Sequence, residues 1–263
     1  MSSAPVPPRS ALLACWTTAW LSGEVGLPEV CERATAYDDS HVVAGLWVDD
    51  LELEQALGRL RAEGVQQVRL VLPAPGDPLG LPGPGPFTQA ALHAGEGVVA
   101  LRGEGDGYGL VPSLEHHGSE LDGTVTTVTW QAYPVSGIGP DQGPFLHEAE
   151  HDLRLGVMEA AQALTDLDVA RWDPDVAEAL DDLRRAQRRG LSDDELPGSW
   201  PVRARDVLVR TRALATLVQL ADRSPGGAID TREAEARAAV LRDLARVVRR
   251  ARVAAYNAHQ DAP

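Results

Sequence analysis

Two histidines four residues apart, with a glutamate directly after the first, are the residues of this 263-residue chain best suited to chemistry: His147-Glu148-Ala149-Glu150-His151. On a helix, positions four apart share a face. Both imidazoles could then ligate one Zn²⁺ while Glu148 activates a water, which is the arrangement of zinc-dependent hydrolysis. The implied cofactor is zinc, with His147 and His151 as metal ligands and Glu148 as the catalytic base.

The surroundings argue both ways. Zincin peptidases, which carry this motif, keep uncharged residues where Glu150 and Asp152 stand. The longer metzincin form needs Gly at Arg154 and His at Val157. The apolar stripe of the same helix centres near Leu153, and at 100° per residue the two histidines point roughly 120–160° away from it. They share that other face with Leu155, Met158 and Val169. The competing reading is a pair of polar residues on the outer face of a capped helix, with acids favoured near its N-terminus.

A second candidate is the loop Pro73–Pro86, PAPGDPLGLPGPGP, with Gly76, Asp77, Gly80, Gly83 and Gly85 as ligand-binding positions. It follows a strand of an expected βαβ unit and leads into a helix whose free N–H groups could hold an anion. Its glycines do not follow GxGxxG, and its prolines remove donors and stiffen it. The alternative is a rigid loop covering the sheet edge or the helical region. Glu115-His116-His117 could bind a metal or form an exposed turn, and His41 and His93 read as surface or satisfied core histidines. No GxSxG elbow anchors a hydrolase triad. All 24 basic residues are Arg, so Schiff-base chemistry and a P-loop lysine are excluded.

These residues need elements to hold them. Helices are expected at Ser10–Leu21, with Leu12, Trp16 and Ala19 on one face, and at Pro28–Tyr37. His41–Val48 reads as a buried strand. Asp49 and Asp50 then favour a helix start, Gly64 closes that helix, and Gln67–Leu72 is the next strand, which makes a βαβ unit with parallel strands. A helix from Phe87 to Ala94 and a strand Val98–Leu101 follow. Gly109–Leu114 and Thr124–Tyr133 are too closely connected for a helical crossover and predict an antiparallel hairpin. Val135–Pro144 reads as a linker. Beyond it come helices at Leu146–Ala170, Asp173–Gly190, Ser199–Arg223 and Asp230–Tyr256, the last opened by a capping box and apolar on two sides. The expected fold is α+β or α/β. Residues 1–140 form a mixed sheet with βαβ units, and residues 141–263 form a helical region of about four helices packed closely on it.

Composition narrows the function. The net charge is −15, and residues 1–150 carry 6 Arg against 20 acids, which argues against a nucleic-acid partner. Residues 201–263 carry 12 Arg against 7 acids, so the basic excess sits at the far end, where it suits an acidic partner, a solvated face or the protein's own acidic part. Cys15 and Cys31 form no CxxC pair and read as buried thiols. Leu12-Leu13-Ala14-Cys15 resembles a lipoprotein box, but the apolar run follows the cysteine instead of preceding it. No stretch is long enough to span a membrane, which leaves a cytoplasmic protein as the expectation.

VRLVLPAPGDPLGLPGPGPF (Val68–Phe87) and TVTWQAYPV (Thr127–Val135), with an Arg/Ala-rich helical tail, resemble a family of uncharacterised conserved proteins of high-GC Gram-positive bacteria. The resemblance implies a cytoplasmic protein and carries over no catalytic residue. The leading reading is a non-catalytic binding or interaction protein, able to form a homo-oligomer through its C-terminal helices. The alternatives are a zinc-dependent hydrolase at His147, Glu148 and His151, and a small-molecule enzyme or binder using the Pro73–Pro86 loop.

Overall fold

The computed structural model describes residues 6–103, 105–119, 123–138, 143–166, 188, 190–192, 194–223 and 231–261. Their core is one six-stranded mixed sheet. Its strands are β1 (Ser40–Ala44), β2 (Leu51–Glu52), β3 (Gln67–Val71), β4 (Gly97–Leu101), β5 (Asp106–Ser119) and β6 (Gly123–Ser136), in the spatial order β2-β1-β6-β5-β4-β3. The expected hairpin is present and longer than its apolar runs suggest, since β5 and β6 pair antiparallel from Asp106↔Ser136 to Ser119↔Gly123.

The βαβ expectation is corrected. β1 pairs parallel with β6 and antiparallel with β2, whereas β3 pairs antiparallel with β4 at the opposite edge. The helix between β1 and β3 thus carries the chain across the whole sheet instead of to a neighbouring parallel strand. That helix, α3 (Leu53–Ala62), begins after β2 and not at Asp49. β1 is shorter than its apolar run because Gly45 turns in the left-handed region, φ 89°, and lies flat against Gln131 and Ala132 of β6, leaving Val48 exposed.

Residues alternate between two cores, as the pleat requires. Val98, Ala100, Leu110, Val128, Trp130 and Ala132 face one side, and Val71, Val99, Leu101 and Val111 face the other. The second side is covered by α4 (Pro86–Ala94), whose Phe87 ring lies against the bare backbone of Gly109, where any Cβ would collide with it. The first side carries α1 (Arg9–Leu21), α2 (Leu27–Ala34) and α3. Every residue of α1 from Ser10 to Trp20 is buried, so this helix is enclosed all round and not on one face alone.

The helical part adds α5 (Leu146–Asp166), α6 (Val202–Arg223) and α7 (Thr231–Tyr256). The helix expected at Asp173–Gly190 lies outside the described residues apart from Arg188 and Gly190, and so does Val169. Both apolar sides of α7 are used inside the chain. Ala245 and Val248 face Ala215 and Val218 of α6, while Val247 meets Gly156 of α5. One buried cluster runs from Leu12 and Trp130 through Leu153 to Val207, Val248 and Ala254, so sheet and helices share a core.

The open edge of β3 is closed by side chains. Asn257, just past α7, accepts from the Leu70 N–H at 2.9 Å and donates to the Leu70 carbonyl at 3.1 Å. Thr18 of α1 donates to the Val68 carbonyl at 2.9 Å. Together they occupy the positions a further strand would take.

Candidate functional site

α5 places the HExxH residues at its first turn. His147 and His151 are exposed, and His147 stacks on the Phe145 ring, 6.0 Å between centroids. Glu148 reaches back to accept from the Phe145 N–H at 3.0 Å, the reciprocal bond of a helix N-cap. Leu155 and Met158 continue the same exposed face. Glu150, between the histidines, points the other way. It is buried and takes Arg203 at 2.5 Å and Arg210 at 3.5 Å from α6. Those guanidiniums, the hydrogen-bonded Arg203 first, hold its carboxyl below the ordinary glutamate range. Among the described residues no group of three or more His, Cys, Asp or Glu is arranged to hold a metal ion.

The Pro73–Pro86 loop leaves an antiparallel edge strand, which corrects the parallel setting expected for it. Ala74 and Asp77 exchange two backbone hydrogen bonds around Gly76, and Gly76 and Gly80 both sit at φ 78°. Gly83 and Pro82 offer their carbonyls to Thr88, and Gly85 precedes α4 in an extended conformation. Asp77, only 4% exposed, is taken by two arginines of α7, Arg249 at 2.5 Å and Arg250 at 2.8 Å. Burial pushes its carboxyl up, but the hydrogen bonds and charges of Arg250 and Arg249 outweigh burial and hold it below the ordinary aspartate range. The loop is fastened to the last helix, and its one acid is already neutralised.

The remaining candidates are occupied. His41 is a core histidine whose Nδ1 accepts from the Trp130 indole N–H at 3.2 Å, so the ring proton sits on Nε2, 3.3 Å from Asp38. Arg9 grips the same Asp38 at 3.0 and 2.7 Å. His93 is exposed on α4, while His116 and His117 lie on the exposed outer half of the β5–β6 hairpin, against Thr126 and Glu115. The Cys15 thiol is fully enclosed, and burial raises its pKa far beyond the range of a nucleophile.

What the motifs did not indicate is a cleft. A cavity of about 430 Å³ opens between the segment Val6–Arg9, the end of α4 and the facing sides of α6 and α7. Leu72, Ala215, Val218, Ala245 and Val248 form apolar walls, and Arg9, Glu96, Arg249 and Arg252 bring charge. A smaller cavity of about 130 Å³ adjoins it, lined by Arg212, Thr216, Gln219 and Tyr256, with Arg252 on both. Three of these arginines have a carboxylate partner: Arg9 has Asp38, Arg249 has Asp77 and Arg212 has Glu195. Glu96 accepts from the Ser10 N–H at 2.9 Å.

Residues 10–144 match the family model described as the N-terminal domain of Rv1486c-like proteins, and residues 147–253 match the model of their C-terminal domain. The chain belongs to the Rv1486c-like family. The uncharacterized protein Rv1486c of Mycobacterium tuberculosis is 28% identical over 286 residues, covering 95% of this chain and 96% of the relative. The uncharacterized protein MAV321 of Mycobacterium avium is 29% identical over 297 residues with the same coverage, and the uncharacterized protein ML1804 of Mycobacterium leprae is 26% identical over 292 residues. No solved structure matches the chain. These relatives agree with the resemblance seen in Val68–Phe87 and Thr127–Val135, and no activity comes with them. The Rv1486c-like match covers the loop, the HExxH segment and most of the cleft, including Arg252.

Proposed function

We propose that this Rv1486c-like protein is a non-catalytic binding protein, with the cleft between the Val6–Arg9 segment, α6 and α7 as its ligand site. The observation that carries the reading is the cleft itself. Its volume falls within the range of small-molecule sites, and its apolar walls are punctuated by a few polar groups. The groups best suited to catalysis are spent on structure: Glu148 caps a helix, Asp77 binds two arginines, and the Cys15 thiol is enclosed. The free thiols suit a reducing, cytoplasmic setting. Among the described residues no helix is long and apolar enough to cross a membrane.

The test is a thermal-shift survey of small metabolites on the wild type and on Val218→Trp, which fills the cleft. Stabilising compounds should lose their effect in the variant. Compounds that stabilise both proteins equally would place the site elsewhere. The zinc reading has its own experiment, elemental analysis after metal-free purification of wild type and His147→Ala. Zinc should be well below one atom per chain in both. A stoichiometric atom lost with His147 would restore the hydrolase.

A further inference from the structure

Arg252 stands apart from the other arginines of the cleft. It is half-buried at the junction of the two cavities and has no hydrogen bond or ion pair with any described residue. Burial is the largest influence on its guanidinium and acts against the charge, Arg212 adds to that, and Glu96 offsets it only through space. A half-buried guanidinium with no hydrogen-bonded partner is costly, and folded chains seldom keep one without a reason. The phenol of Tyr256 is a second group without a protein partner among the described residues. Its ring is buried, its hydroxyl has no partner among the described residues, and burial keeps it protonated, so it remains a donor. Thr216 and Gln219 line the same small cavity. The smaller cavity therefore gathers the donors of Arg252, Tyr256, Thr216 and Gln219, and the larger one adds aliphatic walls beside its charged groups.

We infer that Arg252 is the receptor for the headgroup of a small aliphatic carboxylate, bound with its head in the smaller cavity and its chain along Leu72, Ala215, Val218, Ala245 and Val248. The inference rests on the cleft being the ligand site. A guanidinium presents two parallel N–H groups to a carboxylate, and the Tyr256 hydroxyl adds a third donor. The charge balance selects a monoanion. Asp38 matches Arg9 and Glu195 matches Arg212, while Asp77 and Glu96 stand against Arg249, Arg250 and Arg252, so one positive charge is left for a ligand. Glu96 on the wall repels a second negative charge, which disfavours a phosphate dianion.

Calorimetric titration of the full chain with four six-carbon probes tests this: hexanoate, hexanol, hexylammonium and hexyl phosphate. Hexanoate should bind at least tenfold tighter than hexanol or hexylammonium, and hexyl phosphate no tighter than hexanoate. Arg252→Gln should weaken hexanoate at least tenfold and leave hexanol unchanged. Hexanol binding as well as hexanoate, with Ala215→Trp abolishing both, overturns the carboxylate and leaves the cleft. Tighter hexyl phosphate overturns the monoanion. No binding by any probe overturns the carboxylate site, while hits from the wider survey that Val218→Trp abolishes would still support the cleft. If Arg252→Gln does not fold, the ranking of the four probes on the wild type decides.

Discussion

Two buried side chains contribute to how the protein answers to acid. Asp77 fastens its loop to α7, and its carboxyl titrates below the ordinary range. Its contribution to stability is complete above the unfolded value of about 3.9 and is lost as pH falls through the folded one. Replacing it by Asn should cost about 1–2 kcal/mol near neutral pH, a figure kept low because Arg250 is half exposed. Urea unfolding should show the loss shrinking toward pH 3, and an unchanged midpoint would remove the clamp from the account. His41 acts at a higher pH. Burial, more than any neighbour, lowers its pKa below the ordinary 6.5. Below that value the unfolded chain takes up a proton that the folded chain refuses, so stability falls on acidification. Protonation would also set an Nδ1–H against the Trp130 indole N–H. Stability should therefore begin to drop just below pH 6.5 in the wild type. His41→Gln should flatten that slope; an equal slope in both proteins would assign it to another group.

Among the elements, the β3 edge carries the sharpest test. Asn257→Ala removes both hydrogen bonds to Leu70 and leaves two backbone groups without partners. The expected cost is about 2–3 kcal/mol, with faster exchange of the Leu70 amide proton. Exchange unchanged at Leu70 would show the edge to be closed by Thr18 and packing alone. Such a residue is invisible to pattern reading, since one Asn beyond a helix end has no periodicity. Helices and strands were legible because apolar spacing reports burial. The pairing of strands was not, because β1 meets β6 across 87 residues (Ser40 to Thr127) while α3 and β3 lie close in sequence. HExxH was legible as a motif, yet the same Glu148 fits a helix cap, and spacing alone does not separate the two uses. Arg252 was hidden among 24 arginines, since its distinction is a missing partner and that exists only in three dimensions.

For the molecule as a whole, the uneven charge has a local meaning. The basic excess beyond residue 200 meets the acidic sheet region at Arg249, Arg250 and Asp77, so at least part of it is neutralised within the chain. The shared core makes a further prediction. Residues 1–144, which span the matched N-terminal segment, would expose the faces of α1 and β3 that α7 meets. That fragment should aggregate or melt without a cooperative transition by circular dichroism. A sharp melt at the full-length temperature would instead make the sheet an independent unit.

The amide that seals β3 also sets an order of events during synthesis. Asn257 lies 187 residues downstream of Leu70. At roughly 5–20 residues per second, a ribosome adds it about ten to forty seconds after adding Leu70. For that interval β3 leaves the Leu70 backbone groups unsealed, open to strands of other unfinished chains. Holding factors at the exit tunnel matter most in this window, and a stall anywhere between the two residues leaves a product that can recruit strands from its neighbours.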